Sequence, residues 1–318
     1  MTETQSRRQI LKLAGLACVS GVLPAGAIAA ESSGRKFTMD LVCGNLAVSA
    51  DGAEAIDLAS KYGFESVAPD AGYLGKLSNE QSQAVVAKLK AKGLVWGAAN
   101  LPVDFRKDDA TFQAGMKGLH DFADALQRAG VTRVGTWLMP SHAMLTYMGN
   151  FRLHVQRLEQ VAKLLGDHDL RFGLEYVGPK TSWSSAKYPF IHSMAEANEL
   201  IAALDRPNVG LVLDSWHWYT AGEGEAELLT LKNSNIVACD LNDAPKGIPI
   251  NEQKDLTREF PAATGVIDLK TFLNTLVKIG YDGPVRAEPF LARLKGLPKD
   301  EAVGQTVKAM KQAFALLD

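Results

Sequence analysis

Leu211-Val212-Leu213-Asp214-Ser215-Trp216-His217 is an apolar run that stops on a carboxylate. The same design occurs three more times. Phe172-Gly173-Leu174-Glu175-Tyr176-Val177 carries Glu175, Ala238-Cys239-Asp240-Leu241-Asn242-Asp243 carries Asp240, and Val285-Arg286-Ala287-Glu288-Pro289-Phe290 carries Glu288. Upstream, short apolar or β-rich runs recur at residues 37–42, 66–69, 95–100 and 133–139. Between the runs lie stretches with apolar residues three or four apart, the helical spacing. In the last of these, Val303, Val307, Met310, Phe314 and Leu317 fall on one face. Gly63, Gly93, Gly130, Gly166 and Gly280 each stand just before a run, where glycine accepts the left-handed turn that closes a helix.

Strands alternating with helices imply a parallel sheet. Eight such units over residues 36–318 predict an α/β fold, a single (β/α)8 TIM barrel, which typically takes roughly 250 residues plus insertions. An open doubly wound sheet would want a G-x-G-x-x-G turn after an early strand, and none is present. No linker divides the chain. The widest gap follows the seventh run and begins Ala244-Pro245-Lys246-Gly247-Ile248-Pro249, a long loop of the kind that usually carries function.

Composition narrows the function. Lys+Arg is 34 against 36 Asp+Glu, so the net charge of −2 argues against generic nucleic-acid binding. Three cysteines without C-x-x-C spacing exclude a zinc ribbon or a disulfide scaffold. Cys43 and Cys239 fall on non-neighbouring strands and are expected as buried free thiols.

Residues 1–30 read as an address. Ser6-Arg7-Arg8-Gln9-Ile10-Leu11-Lys12 resembles a twin-arginine export signal, followed by an apolar run from Leu13 and a small-x-small site at Ala27-Ile28-Ala29. The run is short and rich in Gly and Ala for a membrane span. The expectation is a periplasmic or otherwise exported protein with no stable membrane association once the leader is removed; an uncleaved anchor is the alternative.

In such a barrel, side chains at the carboxyl ends of the strands converge over the mouth. A lone carboxylate in an apolar strand is costly to bury as an ion. Four on consecutive strands repel one another unless a cation sits between them, and a divalent metal with oxygen ligands is the simplest answer. The plainer alternative is separate ion pairs. Glu288, for instance, shares a strand face with Arg286 at the period of two.

These four segments, with Arg258-Glu259-Phe260-Pro261 and Gly265-Val266-Ile267-Asp268, resemble the xylose isomerase-like TIM-barrel superfamily of sugar isomerases and epimerases over residues 37–318. The resemblance implies one divalent metal held by Glu, Asp, His and Glu from strands five to eight. Those positions are Glu175, Asp214, Asp240 and Glu288, with Asp240 where His is usual. An all-carboxylate set favours Mn²⁺ or Mg²⁺, with Co²⁺ or Zn²⁺ as alternatives. The resemblance further implies that Glu175 and Glu288 form the acid/base pair on opposite faces of the substrate; if either is a ligand only, the base is to be sought at His217 or Asp243. It also implies that His217 contacts substrate oxygens, and that Arg258 clamps a hydroxyl or carboxylate. The alternatives are a capping role for His217 and a solvated charge for Arg258. His142, Lys180 and Trp183 are further candidates for substrate binding, with Asp70, Asn100 and His192 near the mouth. Trp137, Trp183, Trp216 and Trp218 are candidates for an aromatic platform.

The leading expectation is a metal-dependent sugar isomerase or epimerase that removes a proton beside a carbonyl. A lyase or dehydratase of the same superfamily, acting on a 3-keto-glycoside or an inosose-like substrate, is the alternative, and a non-catalytic sugar-binding barrel is a third. An endonuclease of the superfamily would need His where Asp70, Asn100 and Asp240 stand. The expected partner is a small carbohydrate rather than nucleic acid, and a homo-oligomer is compatible with the sequence.

Overall fold

The computed structural model describes residues 34–318, so the leader expected at residues 1–30 lies outside the described residues. Among the described residues there are eleven strands: β1 Thr38–Leu41, β2 Ser66–Val67, β3 Val95–Trp96, β4 Ala99–Asn100, β5 Arg133–Trp137, β6 Ser141–His142, β7 Arg171–Glu175, β8 Tyr188–Pro189, β9 Val209–Asp214, β10 Ile236–Leu241 and β11 Pro284–Ala287. Nine form one sheet in the order β3-β2-β1-β11-β10-β9-β7-β5-β4, every pairing parallel. The two ends of that order, β3 and β4, are separated in the chain only by Gly97 and Ala98. The single run 95–100 thus pairs with β2 through its first half and with β5 through its second. The sheet curls round until its ends meet in one stretch of chain, which gives the eight stations expected.

The runs read as continuously apolar because both sheet faces are covered. All six residues of β9 and all six of β10 are buried, as in parallel sheets with helices outside and a packed interior. The interior is filled by small groups. Ala98, Val212 and Ala238 form their own cluster, and a Cβ on Gly173 would come within 2.8 Å of Val212 Cγ2.

Outside, helices alternate with the strands and begin on side-chain caps. Asp51, Thr146, Ser193 and Asp268 each accept a backbone N–H three residues on, and Ser78 forms a capping box with Gln81. Gly63, Gly93, Gly130 and Gly280 have φ between 68° and 73° and close the turns as expected. Gly166 does not. It lies inside the helix Tyr147–Asp167, and the chain turns at Asp169 instead, with φ 59°. Gly166 serves packing: the Asn208 amide lies 3.2 Å from where its Cβ would stand, and donates to the Ala162 and Leu170 carbonyls. In the final helix Lys299–Phe314, Val303, Val307 and Met310 are buried, and Phe314 meets Phe37 edge-on. Among the described residues no helix is long and apolar enough to cross a membrane. Cys239 is buried and free, whereas Cys43 is free but only half-buried.

Candidate active site

β7, β9, β10 and β11 are neighbours, and their carboxyl ends bring the four acids together. Glu175 ends β7 and Asp214 ends β9. Asp240 lies one residue before the end of β10, and Glu288 follows β11. A cavity of about 800 Å³ opens above them, lined at its floor by Glu175, His217, Arg258, Arg286 and Glu288. Asp214 and Asp240 lie beneath, fully buried.

Asp214 caps the short helix Ser215–Thr220. Its Oδ1 accepts from the Trp216 amide at 2.8 Å and from Asn242 Nδ2 at 2.9 Å. Asn242 also accepts from the Glu288 amide at 3.1 Å, so one side chain positions two of the acids. The long loop after β10 delivers Arg258, which is buried. Its Nη1 donates to Asp214 Oδ2 at 2.7 Å and to Glu288 Oε2 at 2.9 Å, and its Nη2 donates to Asp255 at 2.8 Å. Burial works against the guanidinium charge, but Asp214, Glu288, Asp255 and Glu175 outweigh it and hold the pKa above its ordinary value. Arg258 is therefore an interior clamp rather than a solvated charge. Asp243 anchors the base of this loop. Its two oxygens accept from the amides of Ala244, Thr264, Gly265, Val266 and Ile267, which leaves it no freedom to act as a base.

His217 is also buried. Its Nδ1 accepts from the Gly178 amide at 3.2 Å, so in the neutral ring the proton is on Nε2. That N–H faces Asp214 Oδ2 at 3.6 Å and Glu175 Oε1 at 4.0 Å. Burial, and Arg258 Nη2 only 3.3 Å from Nε2, push the ring pKa down to about 3. His217 is a neutral donor at the cavity floor.

Three acids reach the cavity, Glu175, Glu288 and Asp255, and of these Asp255 is held by Arg258 Nη2. Burial, then the charge on Glu288, raises the Glu175 carboxyl well above the carboxylate range. Burial, then Asp240, pushes Glu288 up to about 8 against the pull of Arg258. Asp214 rises to about 6 through burial, opposed by Arg258.

Arg286 does not pair with its strand neighbour Glu288. It reaches across to β10, where Nε donates to Asp240 Oδ1 at 2.6 Å and Nη2 to Oδ2 at 2.9 Å. Strand register explains this: Arg286 is the direct partner of Asp240. Asn100 lines the cavity, whereas His142, Lys180, Trp183, Asp70 and His192 lie outside its lining. His142 sits on β6, which pairs antiparallel with β8, and its Nδ1 is taken by the Met144 and Leu145 amides. Trp183 packs on the His192 ring, and Lys180 is exposed. Trp216 and Trp218 are core residues, whereas Trp137 is 41% exposed at the cavity wall beneath the Arg106 guanidinium.

The donor set fits a divalent cation. One oxygen from each of Glu175, Asp240 and Glu288 lies within 4.8 Å of the others, and Glu175 Oε1 is buried without a hydrogen-bond partner. The carboxylates outnumber the two guanidiniums. A second grouping, Glu175, Asp214 and His217, is as close, but the His217 tautomer turns a proton rather than a lone pair toward it. The all-oxygen trio is the better fit, and it suits hard ions.

The family model for the xylose isomerase-like TIM barrel matches residues 56–313. The chain belongs to the xylose isomerase-like TIM barrel family. An inosose isomerase of Bacillus subtilis (strain 168) is 29% identical over 155 residues, covering 48% of this chain and 52% of that one. A 3-dehydroshikimate dehydratase of Pseudomonas aeruginosa is 27% identical over 176 residues, 55% of this chain and 26% of that one. The chain spans about half the length of the inosose isomerases it matches. The crystal structure of an IOLI protein with a bound zinc atom shares the fold at TM-score 0.73 and 20% identity, covering 89% of this chain and 99% of that one. These relatives of the xylose isomerase-like barrel are named as an isomerase and a dehydratase.

Proposed function

We propose that this barrel is a sugar isomerase or epimerase that moves a proton at the carbon next to the ketone of a polyhydroxylated substrate. The observation that carries the reading is the Glu175–Glu288 pair. These are two carboxyls at the floor of one cavity, oxygens within 4.8 Å, both held above the carboxylate range by burial and by acidic neighbours. A base whose pKa is near the working pH can accept a proton and return it. In the ionised member of the pair the oxygen facing the substrate removes the α-proton; the protonated member returns one to the carbon or to an oxygen. Arg258, held by three carboxylates, and the Nε2–H of His217 supply donors toward a substrate oxygen that gains charge. Glu175, Asp240 and Glu288 would hold a divalent cation, Mn²⁺ or Mg²⁺ for an all-oxygen set, and such an ion supplies Lewis-acid polarisation of a carbonyl.

Likeness to the dehydratase supports a second reading. In it, proton removal is followed by loss of a hydroxyl from the next carbon, with a protonated Glu as the acid. We place the activity outside the cytoplasm on the strength of the leader motif. The test is to incubate the protein and Mn²⁺ with a panel of ketoses, keto-cyclitols and hydroxylated cyclic keto-acids and follow products by NMR. An epimer or ketose isomer supports the first reading and an enone the second. No turnover of any panel member contradicts both.

A further inference from the structure

Asp40 takes no part in the chemistry above, yet it is buried beneath it. It lies on β1 in register with Arg286 of β11. Arg286 is in register with Asp240 of β10, and Asp240 with Asp214 of β9. Directly paired residues of parallel strands project from the same face, so one row across four strands reads acid, base, acid, acid. Arg286 therefore stands between two carboxylates and bonds only one. Both oxygens of Asp240 are taken by its Nε and Nη2. Asp40 is 2% exposed, and neither of its oxygens has a hydrogen-bond partner. Buried polar atoms left unpartnered are rare and costly, so such an atom calls for an explanation.

The space for Asp40 is also built. A Cβ on Gly97, at the seam between β3 and β4, would lie 2.5 Å from each Asp40 oxygen, so only glycine leaves room for the carboxyl. Burial raises the Asp40 carboxyl above its ordinary range; the nearby Ser66 side chain and the charge of Arg286, even while bonded to Asp240, pull it down, and Asp240 pushes it up. Meanwhile Asp240 belongs to the trio that fits a cation, although a guanidinium occupies both of its oxygens.

We propose that Asp40 is the alternative acceptor for Arg286: when a divalent cation takes Asp240, the guanidinium turns along the row to Asp40. The inference rests on the reading that the trio takes a cation. An ion and a guanidinium compete for the same two oxygens. Without Asp40 the released guanidinium keeps only Glu288 near it, itself a member of the trio, and Asp240 stays clamped. Asp40 is thus a positioning residue that sets how readily Asp240 is freed.

The test is Mn²⁺ titration of chelator-stripped, full-length protein, read by calorimetry and by the EPR signal of free Mn²⁺. Mn²⁺ is the appropriate probe because the other cluster of metal-ligating side chains, His120, Asp124 and His168, offers two imidazoles better suited to softer ions. Wild type should bind one ion. Asp40→Asn, nearly isosteric, should bind it at least about ten-fold more weakly, the usual scale for loss of a ligand's supporting contact. Arg286→Gln should bind more tightly, and in that background Asp40→Asn should change nothing. Arg286→Met, which also removes the charge, replaces Arg286→Gln if the latter does not fold, and melting curves check each variant. Unchanged affinity in Asp40→Asn, with wild type binding normally, overturns the hand-over and leaves the metal reading standing. Equal weakening with and without Arg286 also overturns it, because Asp40 would then act on the ion directly. No uptake by wild type defeats the metal reading, and the inference falls with it.

Discussion

Arg258→Met removes the clamp that holds the floor of the cavity together. Arg258 makes four hydrogen bonds, to Asp214, Glu288 and both the side chain and carbonyl of Asp255. Methionine keeps an apolar stem of similar length but removes the guanidinium, which lies over the Trp216 and Phe290 rings. The loss is therefore chiefly electrostatic: three carboxylates lose their counter-ion in a buried setting. Breaking a buried pair by removing one partner costs about 3–5 kcal/mol. In a domain of this size each kcal/mol moves the melting temperature by about 2–4 °C, so the variant should melt about 10 °C lower in chelator at pH 7. Excess Mn²⁺ should recover more of the melting temperature in the variant than it adds to wild type, because the site has lost a cation. Differential scanning calorimetry with and without Mn²⁺ reads both effects. A drop of less than about 2 °C would show that Arg258 does not neutralise these acids, and the charge argument for the site would fail.

Removing metal should also expose the raised carboxyls as a pH dependence. A carboxyl raised to about 8, as Glu288 is, binds its proton more tightly in the folded chain, so its stabilisation is present at low pH and lost as pH rises toward 8. His154 and His217, held neutral by burial, act in the opposite sense only below about pH 6.5. Between pH 6.5 and 8 chelated protein should lose about 2 kcal/mol from Glu288 alone, seen as a falling melting temperature, and a rising one would contradict the assignment. Replacing Arg7 and Arg8 with Lys should hold the protein in the cytoplasm in a fractionation assay, and normal export of that double variant would refute the leader reading.

Much of this was legible in the sequence because burial on both faces makes parallel strands stand out as unbroken apolar runs. Against such runs, Glu175, Asp214, Asp240 and Glu288 are conspicuous. Partner choice was not legible, since it depends on register between strands distant in the chain. Arg286 is two residues from Glu288 in sequence but meets Asp240 across the sheet. Asp40 carried the same signal as the other acids, a carboxylate within Thr38-Met39-Asp40-Leu41, but it lies on the first strand, far from them in the chain, and has no motif around it. Asp255 could have been suspected from its place three residues before Arg258 in the long loop. Lys180, Trp183 and His142 follow strands as expected, but the antiparallel β6–β8 pairing and local bonds hold them away from the cavity lining. Gly166 shares its sequence position with true helix-closing glycines and differs only in what packs on it.

Deuterium uptake tests the central claim most directly. The protein, loaded with Mn²⁺ in D₂O, is given the panel substrate it turns over, and mass spectrometry with NMR locates the label. Wild type should place one deuterium on the carbon beside the carbonyl. Glu175→Gln and Glu288→Gln should each lose about 10²–10⁴-fold in turnover, the range for a general acid or base. Product without deuterium would speak against solvent-exchanging proton transfer at the α-carbon, and near-normal turnover in either Gln variant would remove that Glu from the pair.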